Sequence, residues 1–200
     1  LSPDGKTVCY TASSSDLKSQ KSGSDIYIMN ADGSYTKALT EDGKSSSAVW
    51  SKDGKSSFFT NYEKGTAQIF RMDLTTCETE QVTDYELGIG SPVISPNERY
   101  IAFTAEVYPD LGADAKANKA RMEKKEQGPV QAHIADKLLY RHWTSYNDGR
   151  CNHLILFDTQ TKTYKDLTPG NYSLIFVVGG GITYQFSPDS KEICFVSNHD

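Results

Sequence analysis

A short motif occurs four times along the chain and constrains the fold more than any other feature. It reads Ser-Pro-Asp-Gly-Lys at residues 2–6 and returns in altered form at residues 51–55, 95–99 and 187–191. Successive copies begin 49, 44 and 92 residues apart, so the last interval is close to two periods. Each copy is predicted to form a turn, because Pro presets φ, Asp or Asn bonds to nearby backbone, and Gly accepts a positive φ.

The segments between these turns have the pattern of short β-strands. An alternating apolar run follows every copy, at residues 8–10, 58–59, 101–103 and 193–195. A period of about 40–45 residues with short strands and Gly/Asp turns is typical of a four-stranded antiparallel propeller blade. The sequence therefore predicts an all-β fold, a partial β-propeller whose blades are similar to those of TolB and WD40 propellers.

The repeat also predicts where the blades begin and end. We expect blades at about residues 1–46, 47–89 and 90–181, and the opening of a further blade at 182–200. The innermost strands are predicted at 47–51, 90–95 and 182–187, and the first blade is expected to lack one. Because Leu1 lies inside a repeat, we expect the chain to be part of a longer protein.

The third repeat carries an insertion of about 40 residues at 107–150, with a helix predicted at 113–127. The helix has no apolar stripe and is expected to be solvated. Asp148-Gly149 between two apolar runs indicates a two-residue hairpin. In that register Trp143 faces Leu154 and Arg141 faces Leu156. Long insertions on a rigid scaffold are where function tends to lie.

Composition excludes several classes of function. The net charge is −5 with no basic face, which argues against nucleic-acid binding. No apolar stretch approaches the roughly 20 residues that a membrane span needs. The four cysteines form no C-x-x-C motif, and we expect free thiols rather than disulfides or a metal site. No cofactor is predicted.

The repeats SPDGK, DIYIMN and ALT resemble the propeller of the prolyl oligopeptidase family of serine peptidases. The run DKLLYRHWTSYNDGRCNHLILFD, followed by KDLTPG and YQFSPDSKEICF, is similar to the acylaminoacyl-peptidase-like branch, and most of all to bacterial dipeptidyl peptidases. The resemblance implies a seven- or eight-bladed propeller followed by a C-terminal α/β-hydrolase domain with the catalytic triad. It also implies a periplasmic or secreted protein that acts on peptides.

The chain itself contains no G-x-S-x-G motif, so we expect it to hold no nucleophile and to be inactive alone. The resemblance implies that it gates access to the active site and helps to bind short peptides. Its partners would be peptide substrates and the hydrolase domain of the same chain, with self-association of the isolated part.

Candidate substrate-binding residues lie in and beside the insertion: Glu106, Arg141, His142 and Trp143. Glu106 ends an apolar strand and could bind the α-amine of a peptide, although a solvated strand-end acid is the simpler interpretation. Arg141 could hold a carbonyl or carboxylate beside Trp143, or the two could form a structural stack. His142 and His153 are the only nearby histidine pair, without a carboxylate cluster, so no metal is expected.

A different class of function remains open, a stand-alone TolB-like propeller that binds proteins. A G-x-S-x-G motif further along the reading frame would favour the peptidase. A propeller enzyme with its own central site is not supported, because the predicted innermost strands offer no convergent acids and histidines.

Overall fold

The computed structural model describes residues 1–62, 65–130, 132, 140–174 and 183–197, without the side chains of His142 and Ser145. The chain divides into two compact units, Leu1–Ile89 and Gly90–Asp200. The strands of each sheet pair antiparallel. Neighbouring strands in a sheet are also consecutive along the chain, except in the second unit, where the insertion separates one pair of neighbours.

The first unit contains two sheets. One has the order β1-β2-β3, formed by β1 (Thr7–Asp16), β2 (Lys21–Asn30) and β3 (Lys37–Ala38). The other has the order β4-β5-β6-β7, formed by β4 (Ser45–Trp50), β5 (Ser56–Asn61), β6 (Gln68–Asp73) and β7 (Thr79–Gln81). Ile26 of β2 packs with Phe59 and Met72 of the second sheet, and burial of these side chains is what holds the two sheets together.

The second unit is built on a four-stranded sheet with the order β13-β12-β9-β8. Its strands are β8 (Gly90–Ile94), β9 (Tyr100–Val107), β12 (Cys151–Asp158) and β13 (Thr163–Asp166). Between β9 and β12 lie helix α1 (Ala115–Glu126) and the short strands β10 (Arg141–His142) and β11 (Ser145–Tyr146). A further pair, β14 (Tyr184–Phe186) and β15 (Ile193–Phe195), packs on the sheet through Tyr184 and Phe186.

The four repeated turns form the same hydrogen bonds. The hydroxyl of the leading serine donates to Oδ1 of the Asp or Asn two residues later, at 2.7 Å in every copy. The same hydroxyl accepts the backbone N–H five residues on, at 2.9 Å from Ser56 to Ser51. The fourth position has a positive φ, which glycine adopts without steric cost, and it is Gly5 and Gly54 in the first two copies.

A second repeated bond closes each blade at its Leu-Thr or Val-Thr ending. The threonine hydroxyl accepts a backbone N–H of the strand next to the outermost one at 2.9 Å in three cases: Ile26 to Thr40, Ile69 to Thr83, and Leu154 to Thr168. The threonine side chain thereby satisfies a strand N–H that a two- to four-residue outer strand does not reach.

The predicted hairpin at 138–158 is wrong. Strand β12 pairs with β9, with Leu154 opposite Thr104 and Leu156 opposite Ala102. Arg141 instead pairs with Tyr146 across a turn at Trp143, which has a φ of +49°. The physical reason is burial: pairing with β9 completely buries Leu154 and other apolar side chains of β12, and a hairpin projecting from the insertion would leave them in water. Leu138 and Leu139, which the prediction included, lie outside the described residues.

The helix is confirmed, with shorter bounds than the predicted 113–127. Asp114 is its N-cap, and the side chain accepts the N–H of Ala117 at 3.0 Å. The four cysteines are free thiols, and Cys77 and Cys194 are exposed while Cys9 and Cys151 are partly buried.

Candidate substrate-contact surface

Helix α1 is attached to the end of β9 by a buried asparagine rather than by an apolar face. The side chain of Asn118 is fully buried, and its Oδ1 accepts the backbone N–H of Tyr108 at 2.7 Å. Its amide nitrogen donates to the carbonyls of Gly112 and Asp114, at 3.0 and 2.8 Å. The lack of an apolar stripe predicts a solvated helix, because a single polar anchor has no periodic pattern.

Two cations of the helix lie over the ring of Tyr108, a buried residue. The Arg121 guanidinium carbon is 4.7 Å and the Lys125 Nζ 5.2 Å from the ring centroid. Arg121 also donates two hydrogen bonds of 2.7 Å to the carboxylate of Asp110. This hydrogen bonding holds the pKa of the Asp110 carboxyl below its usual value and raises the pKa of Arg121. Cation–π contacts and a bidentate ion pair therefore help to hold this helix on the second unit, whereas most helices are held by apolar packing.

Glu106 lies at the end of β9 and forms an ion pair. Its Oε2 is 3.2 Å from Nη1 of Arg150, while about two thirds of its side chain (64 %) is exposed. Arg150 also donates to Asp148 at 2.8 Å, and Lys125 of the helix donates to the Asp148 carbonyl at 2.7 Å. The carboxylate is therefore fixed by the segment that returns to the sheet, and it keeps an exposed side toward solvent.

The short hairpin β10–β11 presents Trp143 at its tip. Trp143 is 83 % exposed, and its φ of +49° is rarely adopted by residues with bulky side chains. Arg141 stabilises this turn, since its Nε donates to the Trp143 carbonyl at 2.6 Å. Its guanidinium carbon lies 5.8 Å from the ring centroid of Tyr146, which in turn stacks on Tyr140 at 6.5 Å. The arrangement presents one large aromatic surface and one cation to solvent.

The candidate residues occupy two places in the second unit. Glu106 lies at the sheet end, and Arg141, His142 and Trp143 lie on the hairpin. His153 is buried between Asp166 and Gly170. Over the described ranges no group of three or more His, Cys, Asp or Glu side chains could hold a metal ion. Asn118 and Arg150 were not among the predicted residues, because their partners are set by tertiary contacts.

The antiparallel sheets, their repeated turns and the blade-closing threonines define the class of this chain as a β-propeller made of four-stranded blades. Residues 1–128 match the family model described as PD40, the TolB beta propeller domain. The chain belongs to the TolB β-propeller domain family.

Curated relatives and solved structures agree with this assignment. The chain is 30 % identical over 202 residues to dipeptidyl-peptidase 5 of Porphyromonas gingivalis, covering 98 % of the chain and 28 % of that protein. It is 27 % identical over 147 residues to dipeptidyl-peptidase 5 of Porphyromonas endodontalis, covering 73 % of the chain and 20 % of that protein. The chain thus spans about a quarter of the length of the curated relatives it matches.

Among solved structures, TolB from Acinetobacter baumannii has a TM-score of 0.59 at 20 % identity, covering 100 % of this chain and 37 % of that one. The acylaminoacyl peptidase of Pyrococcus horikoshii has a TM-score of 0.59 at 21 % identity, covering 82 % of this chain and 23 % of that one. Both similarities concern the fold. In the part of the chain that the structure describes, no helix has the length and hydrophobicity required to cross a membrane.

Proposed function

We propose that this chain is the non-catalytic propeller portion of a serine exopeptidase, where it gates access to the active site and helps to bind short peptides. The observation that carries the proposal is the 30 % identity to a dipeptidyl-peptidase 5 across 98 % of the chain. The chain contains no G-x-S-x-G motif, so the nucleophile would belong to a hydrolase domain further along the protein.

The insertion of the third blade is the part proposed to meet substrate and the hydrolase domain. A peptide offers a cationic α-amine, an anionic carboxylate and apolar side chains. Glu106 has an exposed carboxylate for the amine, Arg141 has a guanidinium for a carbonyl or carboxylate, and Trp143 has an exposed ring for an apolar side chain. His142, on the same hairpin as Arg141, completes the proposed set.

The hairpin is suited to this role because it is built locally. Its tip is held by the hydrogen bond from Arg141 to the Trp143 carbonyl, and by one from the Asn147 N–H to the Tyr140 carbonyl at 2.8 Å. An aromatic side chain that is already positioned loses little entropy when a partner covers it. Exposed Trp and Arg are also the residues that most often contribute strongly at protein interfaces.

The experiment is to replace Arg141 or Trp143 by Ala in the full-length protein and to measure kcat/KM on dipeptidyl and longer peptide reporters. Each lost charged or aromatic contact is worth on the order of 1–3 kcal/mol, so kcat/KM should fall several-fold or more. Tyr35→Ala is the matched control, since Tyr35 is also an exposed aromatic residue with a positive φ, in the first unit. If both hairpin variants fold normally and keep the parent kcat/KM on both substrate lengths, the hairpin is structural and its assignment to substrate binding is wrong.

A second candidate function is a stand-alone TolB-like propeller that binds other proteins. The observation in its favour is the fold similarity to the Acinetobacter TolB, which covers the whole chain. The full reading frame separates the two candidates, because the peptidase requires a G-x-S-x-G motif beyond residue 200 and the binding module does not. We also propose a periplasmic or secreted location, which cell fractionation of the full-length protein would test.

A further inference from the structure

Arg150 lies between two carboxylates at the point where the insertion returns to the sheet. Its Nε donates to both oxygens of the Asp148 carboxylate, at 3.1 and 2.8 Å, and its backbone N–H donates to Oδ1 at 3.2 Å. On the other side, its Nη1 lies 3.2 Å from Oε2 of Glu106, near the end of β9. One guanidinium is therefore shared by two acids.

The two acids do not hold Arg150 equally. Asp148 accepts directed hydrogen bonds from a residue only two positions along the chain, so this contact is local. Glu106 lies 44 residues earlier and approaches Nη1 with one carboxylate oxygen. The side chain of Asp148 is 32 % exposed and that of Glu106 is 64 % exposed. Glu106 is the weaker partner, because an ion pair that is open to water contributes little.

Arg150 has further contacts that do not depend on Glu106. Its Nη1 also lies 3.8 Å from the sulfur of Met122 on helix α1. Lys125, a second cation of that helix, donates to the backbone carbonyl of Asp148 at 2.7 Å and lies over the ring of Tyr108. The Asp148 turn is thus tied to the helix, and Arg150 would keep its place on Asp148 if Glu106 took another partner.

The charges at this turn leave one carboxylate only partly neutralised. Glu106 and Asp148 carry one negative charge each, and the single guanidinium of Arg150 balances one of the two. Among the described residues, Arg150 is the one cation within 4 Å of the Glu106 carboxylate. Because Glu106 is both the weaker partner and the more exposed acid, an ammonium group from solvent would bind there.

We propose that Arg150 determines how tightly Glu106 binds the α-amine of a peptide, because the guanidinium and the amine compete for one carboxylate. This inference rests on the proposed function, in which Glu106 binds that amine. When the amine binds, Arg150 remains on Asp148, so neither cation is left unpaired. Arg150 does not contact the peptide; it sets the affinity for a free amine, and a peptide with an acylated amine brings no charge to this competition.

Removal of the Arg150 charge should therefore strengthen the binding of free amines. Glu106 would stay in position, because its backbone is paired with Asn152 across β9 and β12. Exposed ion pairs change a binding constant by up to about fivefold. We expect Arg150→Gln to lower KM for a substrate with a free amine by about twofold to fivefold. The kcat should not change, because the competition acts on binding.

Asp148→Asn should have the opposite effect. Asn keeps Oδ1, which accepts the Arg150 backbone N–H, but it carries no charge. The guanidinium then has Glu106 as its one charged partner among the described residues, and KM for a free-amine substrate should rise by about twofold to fivefold. Loss of a purely structural ion pair would shift KM in the same direction in both variants.

The test is carried out on the full-length protein with a dipeptidyl reporter that has a free α-amine. It measures kcat and KM for this reporter and the inhibition constant of the N-acetylated form, which neither variant should change. Arg99→Gln is the matched control, because Arg99 is also ion-paired, at 2.8 Å from Asp158, but at the opposite end of β9. It should change neither constant. In a Glu106→Gln background, Arg150→Gln should no longer lower KM.

The possible failures are distinguishable. A folded full-length protein that hydrolyses no peptide reporter would contradict the proposed function, and calorimetric titration with alanylalanine and its N-acetyl derivative would then test Arg150 without turnover. If the reporter is hydrolysed and Glu106→Gln raises KM, but Arg150→Gln does not lower it, the competition is wrong and the role of Glu106 stands. An equal effect of Arg150→Gln on the free and acetylated forms would also overturn the proposal. If Arg150→Gln does not fold, the direction of the change in Asp148→Asn decides.

Discussion

Replacing Asn118 by Ala should detach helix α1 from the end of β9. The variant loses the side-chain bonds to the Tyr108 N–H and to the carbonyls of Gly112 and Asp114. Each such bond contributes about 0.5–1.5 kcal/mol net, and a buried N–H left without a partner costs about 1–3 kcal/mol. The better helix propensity of Ala offsets at most about 0.7 kcal/mol. We expect a local loss of about 2–4 kcal/mol.

Hydrogen exchange of the Ala115–Glu126 amides measures this loss, because the helix has no apolar face and would keep the more exposed contacts of Arg121 and Lys125 without its buried anchor. A loss of 2 kcal/mol or more should speed exchange through local opening by about thirtyfold or more. Lys116→Ala is the matched control, an exposed residue of the same helix for which no change is expected. Unchanged exchange in Asn118→Ala would refute the conclusion that one asparagine anchors the helix.

Two further predictions concern the sheets. Thr83→Val should lower the free energy of unfolding by about 1–3 kcal/mol, because the buried N–H of Ile69 loses its acceptor. Urea unfolding would show this loss against the control Thr163→Val, a change at an exposed threonine. Equal stability of the two variants would contradict the prediction. Arg99→Ala should raise the pKa of Asp158 from about 2 toward its ordinary value, because hydrogen bonds from Arg99 are the main cause of its depression. In the parent chain this ion pair contributes stability above about pH 4 that is lost as the pH falls toward 2. NMR titration of Asp158 tests the pKa change, and the same Asp158 titration in the variant and the parent chain would contradict the assignment to Arg99.

Features set by neighbouring residues could be predicted from the sequence. The turn at Ser51 and Asp53 follows from local bonds, and the helix could be bounded to within two residues because Asp114 is a good N-cap and Gly128-Pro129 stops it. The all-β propeller class follows from the period of these turns. The blade boundaries and the number of blades in the complete propeller stay predictions.

The partner of β12 could not be predicted by the same means. Asp148-Gly149 is a strong local hairpin signal, yet the partner was decided by burial of Leu154 and its neighbours against β9, about 50 residues earlier in the chain. The turn at Trp143 could not be predicted either, because its positive φ falls on a tryptophan rather than on a glycine. A hairpin favoured by local turn residues does not form where a longer-range strand pairing buries more apolar surface.

The candidate surface was predicted in part. Its exposed aromatic and cationic residues could be read from the sequence, but the attachment of α1 through Asn118 could not, because a lone asparagine in a Lys/Ala-rich helix has no periodic signal. The buried hydrogen bonds of His153 could have been expected from an alignment of the repeats, since Asp25, Gln68 and His153 have the same spacing to their threonines.

The central claim, that this chain is the propeller portion of a serine exopeptidase, is tested most directly by assaying the full-length protein and residues 1–200 side by side on dipeptidyl and acylaminoacyl reporter substrates. We expect the full-length protein to hydrolyse a reporter of one of these classes, with loss of turnover after a serine-directed reagent, and residues 1–200 to show none. Absence of hydrolysis by a folded full-length protein, or reagent-sensitive turnover by residues 1–200 that survives repurification, would contradict the claim.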